Sequence, residues 1–282
     1  MTVLVALVVG FLAARLVWLL LRPVFGADVF RRDNYRGHAL PTATGLVLAV
    51  ATLLVEGVRV VAASVARDGS RMDGPRLGVL VLAVGLSLFG LVDDLAGDGD
   101  RRGFRGHLQS LAEGRLTTGG LKLFAGGAVA VVAVSAVRPD GALGSLLTDA
   151  ALVALAANLG NLFDRAPGRT IKVTGLAFLV LVVVTRASTE LGATAVLVGG
   201  ALAMLLDDVH ERVMLGDTGA NLLGGGIGLA VVATGSDATR LAVLAALCIL
   251  NGISEWVSFS RVIDGFAPLR ALDRAGRRGV RS

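Results

Sequence analysis

The sequence predicts an all-α polytopic membrane protein, a bundle of about nine transmembrane helices, and three observations carry that prediction. Hydrophobic residues make up 54% of the 282-residue chain, charged residues only 17%, and the mean hydropathy is +0.75. Those values lie outside the soluble range. Apolar runs long enough for roughly 30 Å of hydrocarbon recur along the chain, and no long polar block stands between them. The chain reads as one integral membrane domain over 1–282, closed by a basic cytoplasmic tail over 258–282.

The first run, 2–21, lacks the basic region and small-residue cleavage site of a signal peptide, so it reads as a retained helix. Runs 40–64 and 77–92 follow, and the second stops at Asp93-Asp94. Runs 121–137, 145–163, 171–185 and 190–206 are rich in Gly and Ala, which suits closely packed membrane helices. A different division of 171–206 would make ten helices. Run 218–234 opens on Gly216-Asp217-Thr218-Gly219, and 239–257 precedes the tail. Cys248 is the one cysteine, so no disulfide forms within the chain.

Loops between these runs alternate sides, and their charges orient the bundle. One side receives 19 of the 27 basic residues: Arg22, Arg31, Arg32, Arg36, Arg101, Arg102, Arg105, Arg115, Lys122, Arg165, Arg169, Lys172, Arg212 and six Arg from Arg261 to Arg281. The other side has seven: Arg59, Arg67, Arg71, Arg76, Arg138, Arg186 and Arg240. Arg15 lies inside the first run. The positive-inside rule then puts the N-terminus outside and the C-terminus in the cytoplasm of a multi-pass protein of the cell (plasma) membrane. No basic stretch is interleaved with aromatics, so nucleic acid is not an expected partner.

With that topology the cytoplasmic loops carry four unusual stretches: Asp93-Asp94, Asn158-Leu-Gly-Asn161-Leu-Phe-Asp164, Leu215-Gly-Asp217-Thr-Gly-Ala-Asn221, and the tail from Ser254 to Arg278. The loops of the other side are short and hold no comparable polar cluster. Neighbouring carboxylates raise one another's pKa unless a cation lies between them, and Mg²⁺ prefers oxygen ligands shared with substrate phosphates. Asn161 and Asp164, three residues apart, share one helix face. A Gly-flanked helix N-terminus at Gly216–Gly219 offers N–H groups to a phosphate. Each stretch also has a plainer reading, as a solvated helix end or an Asp N-cap. His38 and His107 read as surface residues of basic loops, and His210 as part of a polar loop with Asp207, Asp208 and Glu211. No H-x-H or H-E-x-x-H pattern suggests zinc.

Taken in order, the motifs resemble those of the polyprenyl-phosphate N-acetylhexosamine-1-phosphate transferases. That family includes the phospho-N-acetylmuramoyl-pentapeptide translocase and the GlcNAc-1-phosphate transferases. His38-Ala-Leu-Pro41-Thr-Ala-Thr-Gly45 is similar to K-x-G-T-P-T-M-G-G, and Leu91-Val-Asp-Asp94 to G-x-x-D-D. Asn158 to Gly168 resembles N-A-x-N-L-x-D-G-x-D-G, and Leu215-Gly-Asp-Thr-Gly-Ala220 resembles M-G-D-x-G-S. Glu255-Trp-Val-Ser258 and Phe266-Ala-Pro268 fit the last cytoplasmic loop. The resemblance implies Mg²⁺-dependent (or Mn²⁺-dependent) transfer of a sugar-1-phosphate from a UDP-sugar to polyprenyl phosphate, a step of cell-wall (peptidoglycan) biogenesis. It implies Asp217 and Asn161 as metal ligands, with Asp93 and Asp94 as catalytic residues positioning or deprotonating the acceptor. Asp164, His107, Gly216, Thr218 and Arg270 would bind substrate. The partners are then the lipid phosphate, the nucleotide-sugar and the membrane, with a homodimer left open. The chain departs from the family at Asp164-Arg-Ala-Pro167-Gly168, at Gly103-Phe-Arg-Gly-His107 in place of G-L-x-x-K, and at Leu269-Arg270-Ala271-Leu272 in place of a His cluster. Those departures leave open a catalytically altered relative that binds a lipid phosphate or a cell-envelope partner.

Overall fold

Each of the nine apolar runs becomes one long helix. The computed structural model describes residues 1–67, 72–96 and 118–277. Its helices are α1 (Val3–Leu21), α2 (Leu46–Val65), α3 (Gly74–Ala96), α4 (Thr118–Val137), α5 (Leu143–Phe163), α6 (Arg169–Val184), α7 (Gly192–Val209), α8 (Gly216–Thr234) and α9 (Asp237–Ser254). Two short helices follow, α10 (Phe259–Gly265) and α11 (Ala267–Arg274), within the stretch expected to be a basic tail. Local chemistry marks several starts. The Thr2 hydroxyl accepts from the Val5 N–H at 3.4 Å, and Ser236 caps α9 by accepting from the Thr239 N–H at 3.2 Å.

Six stretches among the described residues are long and apolar enough to cross a membrane: Val3–Leu21, Leu46–Val65, Gly74–Ala96, Leu143–Phe163, Thr189–Val209 and Asp237–Ser254. Of the other long helices, α4 has a described apolar stretch of Phe124–Val137. Helix α6 has 16 residues, about 24 Å of helix. The first turns of α8 read Gly-Asp-Thr-Gly-Ala-Asn, so its apolar part begins at Leu222.

Helices α7 and α8 form the centre, and almost every residue of α8 is buried. Helix α1 packs on α7, α5 on α8, and α3 lies between α4 and α8. The α5–α8 contact depends on glycine: a Cβ on Gly160 would lie 2.4 Å from the Ala220 carbonyl oxygen, and one on Gly224 would lie 2.2 Å from that of Ala156. This is the small-residue packing that brings helix backbones together where hydrocarbon supplies no hydrophobic drive. The outer helices turn large apolar side chains outward, including Leu4, Leu12 and Leu20 of α1 and Val180 and Val184 of α6.

Two expectations need correction. The second run does not begin as helix at residue 40. Strands Arg31–Asp33 and Ala39–Pro41 pair antiparallel, with Arg31 opposite Pro41, and α2 starts only at Leu46. Pro41 has no N–H to give a helix or a ladder, whereas its carbonyl accepts from the Met214 N–H at 2.7 Å. Polar clustering is also not confined to one end. At the end opposite Asp94, the fully buried Glu56 pairs with Arg76 at 2.6 Å and Arg59 at 2.7 Å. There too, Asp149 pairs with Arg240 at 2.9 Å. Glu56 and Asp149 sit within helices, where a census of basic loop residues misses them.

Candidate functional site

The N-terminus of α8 is the point on which the predicted motifs converge. Gly216 begins it in the left-handed region (φ +73°). A Cβ there would meet the Asp94 carboxylate at 2.5 Å, so the close approach requires glycine. The Asp94 carboxylate, at the end of α3, accepts from the Asp217 N–H (3.0 Å), the Thr218 N–H (3.0 Å) and the Thr218 hydroxyl (2.6 Å). Asp94 thus caps α8 from another helix, satisfying donors that a helix start leaves unpaired. Gly90, one turn earlier on α3, permits this, since a Cβ on it would lie 2.6 Å from the Thr218 backbone.

A second segment zips onto the same turn. The Thr44 hydroxyl donates to the Met214 carbonyl at 2.9 Å, and the Gly45 N–H to the Leu215 carbonyl at 3.0 Å. Ala43, just before them, holds φ at +59°, a conformation costly for a residue with a Cβ and retained where surroundings enforce it. From the third side, Asn161 at the end of α5 donates through Nδ2 to Asp217 Oδ2 at 3.2 Å. Asn158, a turn earlier, donates to Asn251 Oδ1 at 2.7 Å and fastens α5 to α9.

Asp164 follows at the C-terminus of α5, where the Thr170 hydroxyl donates to it at 3.2 Å. Burial pushes its carboxyl well above the usual range, and the charges of Asp208, Asp217 and Asp94 push it further; the Thr170 bond opposes them. Asp94, Asp164 and Asp217 are therefore close enough to feel one another, although they come from three separate helices. Asp93, beside the cap, is half-buried.

The structure alters several expected roles. Gly216 and Thr218 were expected to offer N–H groups to a phosphate, yet the Thr218 N–H and hydroxyl are spent on Asp94, and Thr218 is fully buried. Arg270 donates to the Asp264 carbonyl at 2.7 Å, inside the C-terminal helical pair, and makes no described contact with the carboxylates. His107 and the basic residues Arg101, Arg102, Arg105 and Arg115 lie outside the described residues.

Asp208 was overlooked. It closes α7, is buried, and accepts from the Gly168 N–H at 2.8 Å, tying the loop after Asp164 into the site. Its context, Leu205-Leu-Asp-Asp208, repeats the Leu91-Val-Asp-Asp94 pattern, so the argument applied to one pair would have found the other. Arg169 was counted only as a loop charge, yet it grips Asp273 with two bonds, Nε–Oδ1 at 2.7 Å and Nη2–Oδ2 at 3.0 Å.

Among the described residues no three His, Cys, Asp or Glu side chains gather closely enough to hold a metal by themselves. Asn161 and Asp217 do meet, the Asn161 amide N–H donating to a carboxylate oxygen. With that amide turned to present Oδ1, the pair fits Mg²⁺, which is commonly bound by one or two carboxylates and completes its shell with water and substrate phosphate. Asp94, with three donors on its carboxylate, fits a positioning role better than direct ligation. No protein-family model and no curated protein matches the chain.

Proposed function

We propose that the protein transfers a sugar-1-phosphate from a UDP-sugar, of the UDP-GlcNAc or UDP-MurNAc type, to polyprenyl phosphate at the cytoplasmic face of the cell membrane, releasing UMP. The carrying observation is the meeting of Asp94, Asn161, Asp164 and Asp217 around one helix start, in the motifs that resemble the transferase family. The bundle would span the membrane nine times, N-terminus outside, as the 19-to-7 division of basic residues favours.

Asp217 and Asn161 would hold Mg²⁺, which when bound supplies positive charge to the donor pyrophosphate. Asp94 fixes the first turn of α8, and with it the position of Asp217. Asp93 would accept the proton of the lipid phosphate or orient its attacking oxygen. Asp164, whose pKa is raised by burial and then by the neighbouring carboxylates, would be relieved when positive charge enters beside it.

A second reading, a non-catalytic relative that binds a lipid phosphate, is favoured by the donors of Asp217 and Thr218 being spent on Asp94. The Pro167 carbonyl is likewise taken by Arg277 Nε at 3.2 Å. Incubating purified protein with polyprenyl phosphate, Mg²⁺ and each UDP-sugar separates the two. A lipid-diphosphate sugar detected by mass spectrometry supports transfer; retention of polyprenyl phosphate with no product supports the binding relative.

A further inference from the structure

The last two helices do not trail into solvent. The Arg169–Asp273 pair anchors α11, Lys172 Nζ donates to the carbonyls of Asp273 (2.8 Å) and Ala275 (2.7 Å), and Phe259 of α10 stacks on Phe163 with centroids 5.2 Å apart. Docked in this way, the hairpin still leaves a large apolar surface uncovered. Trp256 is 81% exposed, Phe266 56%, Leu272 54%, Val262 49% and Leu269 42%. Leu269 and Leu272, three residues apart, share one face of α11, and Phe266 stands at its N-cap. Arg270 and Arg274 lie on another face, and Arg261 is exposed on α10.

Where this surface sits suggests what covers it. Trp256 follows the candidate span Asp237–Ser254 by two residues, so the hairpin starts at the edge of the hydrocarbon. Exposed tryptophan just past a span is the usual occupant of the headgroup layer. A short helix with an apolar face flanked by arginines lies in that layer with its side chains among the upper acyl chains. Arginines at this depth favour anionic headgroups.

We infer that α10 and α11 form a membrane-surface anchor, seated in an anionic lipid interface through Trp256, Val262, Phe266, Leu269 and Leu272. The inference rests on the membrane-spanning reading of α9 and is independent of the proposed transferase chemistry. Because Arg169 and Lys172 open α6 immediately after the Asp164–Gly168 loop, the anchor also fixes one wall of the candidate site against the bilayer.

The test uses the full chain in nanodiscs, with an environment-sensitive fluorophore on Leu269→Cys in a Cys248→Ala background. Lipids brominated on the acyl chain should quench the label about twofold or more, aqueous iodide should not, and anionic lipid should strengthen the difference. The same label on Leu272→Cys covers the case in which the first variant misfolds. Iodide quenching with no effect of brominated lipid at both positions would overturn the anchor. So would protection from iodide in detergent that appears only at high protein concentration, because a second copy would then be the covering surface.

Discussion

At the scale of single residues, Asp94 and Asp217 sit side by side and do different work. Asp94 satisfies two backbone N–H groups and a hydroxyl at the start of α8. Replacing it with Ala leaves those donors unpaired beside Gly216 and should cost about 2–3 kcal/mol of stability, visible as a lower Tm in detergent. Asp93, which makes none of those capping bonds, should tolerate Asp93→Asn with little change in Tm while losing transfer. Asp217→Ala is expected to keep most of the stability, since Asp217 contributes its backbone N–H to the cap and its side chain to Asn161. It should abolish the rise in Tm that Mg²⁺ gives the unaltered chain. An equal Mg²⁺ effect in both would place the cation elsewhere. The carboxylates and Asn161 were legible in the sequence because ionised or amide groups at the ends of apolar runs stand out. The cap was not, because residues 94 and 217 are joined only by the packing of α3 against α8, which Gly90 permits.

At the scale of elements, glycine contacts and one ion-pair cluster make separate predictions. Gly224→Leu would drive a side chain into the Ala156 backbone and should separate α5 from α8 at about 3 kcal/mol or more, dissolving the Asn161–Asp217 contact with it. Docking of α11 depends on Asp273. Burial alone would raise this carboxyl, but the Arg169 bonds and the charges of Arg169 and Arg277 outweigh burial and hold it below its ordinary value of 3.8. A carboxylate with a depressed folded pKa stabilises above the unfolded value, and that stabilisation disappears as pH falls through the folded one. Protection of the 259–274 amides, relative to an unfolded chain at the same pH, should therefore stay high at neutral pH and fall only below about pH 4. Arg169→Gln should lose that protection already at pH 7. The nine long helices among the described residues were legible because period and run length are local properties. The hairpin at 31–41 and the pair α10–α11 were not: strands of three residues and helices of seven or eight leave no periodic signature. Their contacts, with Met214 and Arg169, lie far along the chain.

At the scale of the whole molecule, the hydrogen bonds gather residues 32–45, 94, 158–170, 207–218 and 251–277 at one end, and the proposed nine-span topology makes a prediction about which side that end faces. A membrane-impermeant maleimide should label Asp140→Cys in intact cells and Asp264→Cys only after permeabilisation, both in a Cys248→Ala background; labelling of both from outside would contradict nine spans. The proposed function rests on the resemblance of four motifs, because no spacing along the chain encodes which sugar or nucleotide a site accepts. The central claim is that the end holding Asp94, Asn161, Asp164 and Asp217 carries out reversible phosphosugar transfer. Its most direct measurement is exchange of labelled UMP into UDP-sugar by purified protein. Label should enter UDP-GlcNAc or a UDP-MurNAc-type donor only when polyprenyl phosphate and Mg²⁺ are both present, and should fall to background in Asp217→Ala. Absence of exchange with either donor, from protein that unfolds cooperatively and binds polyprenyl phosphate, would contradict it.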